Sequence, residues 1–482
     1  MTKPANPWAA LGALCIGFFM ILLDTTIVSI AIPAMVRGLN TDLNSVVWVM
    51  SVYLLAYAVP MLFTSRLGDR FGPKRLFVAG LAVFTLASLW CGLSGTAGML
   101  ITARAVQGLG AALMTPQTLA FITFLFPPAK RGPAMGLWGG VAGLATIAGP
   151  LLGGVLVDNL GWEWIFFVNV PVGVIGLVLA MVLVPDWQPR HSHSFDIPGI
   201  LLSVGGLSLV IFGLQNGQHY SWGKVAGPVN VVEVIAAGLV LLAAFVVWQY
   251  YNRREPLLPL RVFVNRNFSA GTLTSVAVGF TMTAMFLPLV IYIQDVLLLS
   301  PTEAGLVTAP MSLLAGIMAP FVGRLSDKVN PKYLVIFGLA ALAAGLALIA
   351  LTARGTSTWW VTLPGLLVCG LGIGAVFAPM SNVTMSSVEP RLAGTGSGIY
   401  NTARQVGGVF GSAAAGVLLQ ARITAGMTSS GGNAAQALTD AARETLLLPV
   451  AVLLLGIIAA AAMRRPAARP APAQPDPAAA HS

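Results

Sequence analysis

The chain has 482 residues, of which 57% are apolar and only 9% charged, with a formal net charge of +10. Soluble domains run at about 45–50% apolar and about 25% charged residues, so a chain this long and this poor in charge cannot coat a water-facing surface. A soluble enzyme is thereby excluded, and the positive balance says nothing of nucleic acid unless the bases cluster on one face. Cys15, Cys91 and Cys369 all sit in apolar runs, and His191, His193, His219 and His481 lie in polar segments, so neither a disulfide framework nor a metal cluster is in sight. The expectation is an all-α integral membrane protein.

A membrane-crossing helix needs about 20 predominantly apolar residues. Fourteen such runs follow one another, at 8–36, 45–65, 76–95, 98–125, 134–157, 163–184, 197–215, 229–250, 267–295, 301–323, 333–353, 359–382, 394–420 and 444–464. Runs seven and eight separate fourteen from twelve. The first run is too long for the apolar part of a cleavable signal and carries Asp24. With the N-terminus placed in the cytoplasm, nineteen Lys and Arg fall on the inner side, five on the outer side, and Arg104 and Arg404 within spans. That bias obeys the positive-inside rule, and miscounting one early span would largely erase it. Both termini are therefore expected inside.

The chain repeats itself. At a constant shift of 258, Ser65 to Lys74 (SRLGDRFGPK) meets Gly323 to Lys332 (GRLSDKVNPK), with Arg, Leu, Asp, Pro and Lys coinciding. The same shift carries Gly149-Pro150-Leu151-Leu152-Gly153 onto Gly407-Gly408-Val409-Phe410-Gly411. Both copies begin on the same side, which makes a parallel repeat of the kind found in transporter halves. The layout predicted is six spans over 1–190, two extra spans over 191–255, six spans over 256–465, and a Pro/Ala-rich disordered cytoplasmic tail over 466–482. Thr102-Ala103-Arg104 also matches Thr402-Ala403-Arg404, but at a shift of 300, out of register with the repeat.

The repeated loop has two readings. Its bases (Arg66, Arg70, Lys74 and Arg75; Arg324 and Lys328) can simply anchor the inner face, with Gly72-Pro73 making the turn. The recurrence of an acid, Asp69 and Asp327, also suits a charge switch that locks the inner side by capping a helix or pairing across the halves. Ionisable groups inside the membrane are functional candidates because each costs about 2.5–3.5 kcal/mol to insert. Asp24 falls about 6 Å and Arg104 about 9 Å below the outer edge, at about 1.5 Å per residue, so a pair or a shared polar cavity is allowed. Asp24 can carry a proton there, or rest at the outer interface bonded to Thr25 and Thr26. Glu233 and Asp295 fall near span ends and suit the interface. Thr25, Gln107, Gln294 and Asn401 can line a cavity or bond between helices. Arg404 lies about ten residues into its span, within snorkelling reach of the inner face. Gly149, Pro150, Gly153 and Gly154 permit a kink and close helix approach. Some of the 17 Met and 22 Phe can form an adaptable binding surface.

Several of these strings resemble one family. Ser65 to Lys74 is similar to the cytoplasmic loop signature of the major facilitator superfamily, with Ser65 at its first Gly. Leu100, Arg104, Gln107, Gly108 and Gly110 resemble its span-four pattern. Gly149, Pro150, Gly153 and Gly154 resemble its exporter pattern, with Ala145 at the first position. Leu23 to Pro33 (LDTTIVSIAIP) resembles a span-one pattern which, with fourteen spans, points to the drug:proton antiporters of the fourteen-span branch. The resemblance implies two six-helix bundles plus two extra central helices in a bacterial cell membrane. It implies export of small amphipathic or cationic drugs through a central cavity by alternating access, coupled to protons through Asp24 and Arg104. No cofactor is implied, only the proton gradient, and no nucleic acid; the unit is expected to work as a monomer. A dedicated exporter of one metabolite or self-made antibiotic stays open. The nearest string to a P-loop, Gly217 to Lys224, has one residue too many and no Ser or Thr after the Lys, which argues against ATP as the driver. A membrane-embedded enzyme or receptor would need a cluster of catalytic or ligating side chains at one face, and the sequence shows none beyond the repeated loop.

Overall fold

The computed structural model describes residues 6–187, 196–217, 220–227, 229–252, 256–386, 388, 393–429 and 434–464. The tail over 466–482, and Lys3, Arg190, Arg253, Arg254, Arg391, Arg465 and Arg469 of the charge tally, lie outside the described residues. So do the side chains of Asp69 and Asp327.

Among the described residues, fourteen spans are long and apolar enough to cross a membrane. The first half comprises α1 (Pro7–Ile30), the short α2 (Ile32–Gly38), α3 (Leu43–Phe71), α4 (Pro73–Gly92), α5 (Ala97–Leu125), α6 (Pro128–Leu160), and α7 (Trp164–Phe167) leading into α8 (Asn169–Leu183). Then come α9 (Ile197–Asn216) and α10 (Val231–Tyr251), joined through a small ribbon of β1 (Lys224–Ala226) and β2 (Val229–Asn230). The second half comprises α11 (Arg266–Ala284), α12 (Phe286–Ile291), α13 (Pro301–Lys328), α14 (Pro331–Thr352), α15 (Leu363–Ser386), α16 (Ala393–Ser429) and α17 (Ala434–Ala461).

Local chemistry explains many of the boundaries. Asp42, Thr96 and Ser300 each take a backbone amide at a helix start, satisfying donors that the helix itself leaves open. Glu233 does the same for the Asn230 amide at 2.8 Å, which places it at the entry of α10, an interfacial post. Gly72 stops α3 at φ +94°, a conformation that a side chain would resist, and Pro73 opens α4. The run expected over 8–36 is two helices, because α1 ends at Ile30 and Pro33, near the start of α2, cannot continue the hydrogen-bond ladder.

The repeat is visible in how helices pack. In the first half α1 lies on α6, α4 on α5 and α3 on α5; in the second, α11 lies on α16, α14 on α15 and α13 on α15. The halves meet along α3 with α16 and along α6 with α13, two seams that the repeat exchanges. Lipid gives helices little hydrophobic reason to associate, so contact relies on small residues that let backbones touch. A side chain at Gly154 would strike the Pro301 carbonyl, and one at Gly305 the Pro150 carbonyl, a reciprocal contact between α6 and α13.

The α9–α10 hairpin packs against α3 and α16, beside the first of those seams. At one end, Asn44 Nδ2 and Trp48 Nε1 of α3 both donate to Asn216 Oδ1, at 3.3 Å each. At the other, Asp196 accepts from Trp248 Nε1 and Gln249 Nε2, both at 2.6 Å, and from the Gly199 and Leu257 amides. Burial works against its charge, but these hydrogen bonds outweigh it and hold the carboxyl below its ordinary range. The two ends of the bundle are called below the turn face, carrying the Gly72 and Asn330 turns, and the far face, carrying Ile30 and Val296.

Gly154→Val drives α6 and α13 apart, and overpacking of this kind costs about 1–3 kcal/mol. A lowered unfolding midpoint of the detergent-solubilised protein is expected. Gly12→Ala, where nothing lies within 4 Å of the added carbon, should leave the midpoint unchanged or raised.

Candidate functional site

Between the halves lies a cavity of about 190 Å³. Thr25, Tyr53, Tyr57 and Arg104 line it from the first half, and Met282, Ser312, Phe377 and Arg404 from the second. Pockets that hold drug-sized ligands run at about 300–1,000 Å³, so this cavity is smaller than one that encloses such a ligand.

Directly behind the first wall, α1 and α5 bring Asp24 and Arg104 together, 0% and 1% exposed. Arg104 Nη1 lies 2.5 Å from Asp24 Oδ2 and also donates to Gln107 Oε1 at 2.7 Å, while its Nε donates to the Val49 carbonyl at 3.2 Å. The Tyr53 ring covers the guanidinium at 4.0 Å. Gln107 Nε2 donates to Asp24 Oδ1 at 3.0 Å and to Ser88 Oγ at 3.2 Å, and Asn169 Nδ2 also reaches that Oγ. One polar network thus ties α1, α3, α4, α5 and α8. Arg104 lines the cavity and Asp24 does not, so anything in the cavity meets the acid through the guanidinium. The bland reading of Asp24, bonded to its own threonines at the interface, does not hold: Thr25 and Thr26 donate to backbone carbonyls of Leu22 and Leu23.

The expected cavity polar residues divide. Thr25 lines the cavity. Gln107 belongs to the ion-pair network, Gln294 Nε2 donates to the Ile30 carbonyl at 2.9 Å, and Asn401 Nδ2 donates to the Ser397 carbonyl; none of the three is in the cavity wall. Arg404 is a correction in the other direction. It does not snorkel to a face but lines the cavity, with Phe377 at 5.7 Å and Asn401 Oδ1 at 3.4 Å. The helix begins at Ala393, so eleven residues at 1.5 Å each put Arg404 about 16 Å deep, on the face turned inward. Tyr53, Tyr57 and Ser312 were not singled out by sequence, since uncharged residues in apolar runs give no signal. Met50, Met282, Met285 and Met311 supply the methionine surface that composition suggested.

In the repeated loops, Arg66 Nη2 donates to the Pro256 carbonyl at 2.6 Å, joining the first loop to the segment after the α9–α10 hairpin. Arg70 lies over the Phe71 ring at 5.5 Å, while Arg75, Arg324 and Lys328 are exposed. The matched lysines do equivalent things: Lys74 Nζ donates to the Met181 carbonyl at 2.8 Å and Lys332 Nζ to the Ala461 carbonyl at 2.6 Å. Each cation thus sits at the C-terminal end of the last span of its own half, where helix carbonyls favour it. Across the far face, Arg37 pairs with Asp295 at 3.5 Å and the Thr302 amide donates to Asp158 at 2.7 Å. Gly149 and Gly153 press on Thr26 and Ile27 of α1, while Gly154 and Pro150 meet α13. Within α6, which runs from Pro128 to Leu160, these close approaches make the four residues a packing surface between helices.

Comparison with known proteins agrees with this architecture. Residues 14–412 match the Major Facilitator Superfamily, and the chain belongs to that family of membrane transporters. It is 47% identical over 473 residues to an uncharacterised transporter of the superfamily from Mycobacterium tuberculosis, covering 94% of this chain and 80% of that one. It is 35% identical to the tetracenomycin C resistance and export protein of Streptomyces glaucescens, covering 93% of this chain and 84% of that one. Among solved structures, a bacterial homologue of the human lysosomal transporter Spinster, inward-facing and unoccupied, superposes with a TM-score of 0.68 at 16% identity, over 96% and 98% of the two chains. That likeness is one of fold.

Asp24→Asn strands the buried guanidinium, and removing one partner of a buried pair costs about 3–5 kcal/mol. The unfolding midpoint of Asp24→Asn should therefore drop. The double variant Asp24→Asn/Arg104→Gln should lose less than the two single losses summed, a coupling that a double-mutant cycle reads directly.

Proposed function

We propose that this chain exports small amphipathic compounds across a bacterial cell membrane in exchange for protons, by alternating access and as a monomer. It needs no cofactor in this reading, because a proton falling through 100 mV yields about 2.3 kcal/mol. The observation that carries the proposal is the buried Asp24–Arg104 pair standing behind the wall of the cavity between the halves.

Chemically, such a pair is a proton site with a built-in second state. When Asp24 takes a proton, Arg104 loses its counter-charge but keeps the Val49 carbonyl, Gln107 Oε1 and the Tyr53 ring. Those neutral partners lower the cost of an uncompensated cation in a dry site. A compound in the cavity that shifts Arg104 toward or away from Asp24 changes the acid's hold on its proton, which couples the two ligands reciprocally. The positive-inside bias makes the turn face cytoplasmic and the far face external. The Arg37–Asp295, Asp158–Thr302 and Gln294–Ile30 contacts then hold the outer side together, leaving the inner side for loading.

A dedicated exporter of one metabolite is the second reading, favoured by the relative named for tetracenomycin C resistance and export. Substrate breadth separates the two. In proteoliposomes, a panel of aromatic compounds of differing charge should trigger proton release from the wild-type protein, broadly for a multidrug exporter and with one chemical class for a dedicated one. Asp24→Asn should insert and remain monodisperse yet give no proton-coupled efflux. Full coupled activity in that variant, or silence of the wild type across the whole panel, overturns the proposal.

A further inference from the structure

The charge of the cavity wall narrows what it can hold. Two guanidinium groups line it, Arg104 and Arg404, and among the described lining residues there is no carboxylate. Arg104 is answered from behind by Asp24. Arg404 has a ring at 5.7 Å and an amide oxygen at 3.4 Å, and among the described residues no carboxylate pairs with it. A cation held by neutral partners in a low-dielectric site is a standing attraction for an anion. A second observation agrees. Ser312, 2% exposed and in the same wall, has a buried Oγ with no hydrogen-bond partner, a donor that a ligand's oxygen can satisfy. The rest of the wall suits a flat ring: it is lined by the aromatic Tyr53, Phe286 and Phe377 and by the deformable Met282 and Met311.

We propose that the cavity takes aromatic anions, flat molecules bearing an ionised phenol or carboxylate, with Arg404 as counter-ion and Ser312 Oγ as second donor. This rests on the export reading above and assigns it a substrate class, against the lipophilic cations that the sequence resemblance also allowed. A lipophilic cation would meet the Arg404 charge with no acid in the wall to answer it. The arrangement divides labour between the halves: the proton is held by Asp24 and Arg104 in the first, the substrate's charge by Arg404 in the second. An interior-negative membrane potential also favours outward movement of an anion.

The test uses the full chain in proteoliposomes under an imposed pH gradient, with two xanthene dyes of similar shape and opposite charge. Fluorescein, the anion, should be transported, and rhodamine 6G, the cation, at least about tenfold more slowly, the size of one charge-assisted contact. Arg404→Gln should lower kcat/KM for fluorescein about tenfold or more, with Arg404→Lys recovering part of it. If Arg404→Gln fails to fold, Ser312→Ala carries the test, with a loss of about threefold to tenfold for fluorescein alone. Faster transport of rhodamine 6G than of fluorescein overturns the anion assignment and leaves export standing. So does fluorescein transport that is unaltered in Arg404→Gln and Ser312→Ala. Failure of every compound in the wider panel removes the export reading, and the assignment falls with it.

Discussion

A carboxylate and a guanidinium are buried side by side in the first half, and each is tolerable there only because of the other. Much of the half is arranged around that fact. The pair crosses from α1 to α5, its remaining valences are met from α3 by the Val49 carbonyl, and Gln107 passes the network on to Ser88 of α4 and Asn169 of α8. Helices that could otherwise slide on one another in lipid are pinned in depth and rotation by a handful of polar atoms. The second half repeats the helix pairing without repeating the pair. Its cavity cation, the half-buried Arg404, is met by a ring and an amide. Two bundles related by packing therefore differ in electrostatics, and the cavity between them inherits the difference.

The rest of the scaffold follows from the solvent. Because lipid tails compete equally for apolar side chains, the seam between α6 and α13 is built where side chains are absent, at Gly154 and Gly305. The turn-face lysines are a quieter device of the same economy. Lys74 and Lys332 tie the third span of each half to its last, so each bundle is fastened at the face where its helices end.

Much of this was legible in the residues alone. Fourteen apolar runs announced fourteen spans because a bilayer demands length and hydropathy of every crossing. Asp24 and Arg104 stood out because charge in an apolar run has so few explanations, and a depth calculation placed them level. What resisted reading was direction. Depth is a matter of counting, but the face a side chain presents depends on where the helix starts and what it packs on. Depth alone therefore leaves Arg404 within snorkelling reach of the inner face, and Gln107, Gln294 and Asn401 open between cavity and helix contact. The lysine contacts were hidden for a related reason: the repeat revealed Lys74 and Lys332 as equivalent, but their partners are backbone carbonyls, 107 and 129 residues away, that no side-chain pattern marks. The 300-residue match of Arg104 with Arg404 is out of register in the repeat, yet both side chains reach the same cavity.

The extra hairpin is fastened unevenly. Its side-chain bonds reach Asn44 and Trp48 of α3 at one end and, at the other, the Leu257 and Leu258 amides that lead into the second half. Against the second half, Leu207 and Ile211 of α9 face Val406, Val409 and Phe410 of α16 across a narrow, wholly apolar gap. Apolar contact has no preferred registry, since it depends on area rather than on alignment. The hairpin therefore keeps its register on α3 by hydrogen bonds and meets α16 by area alone.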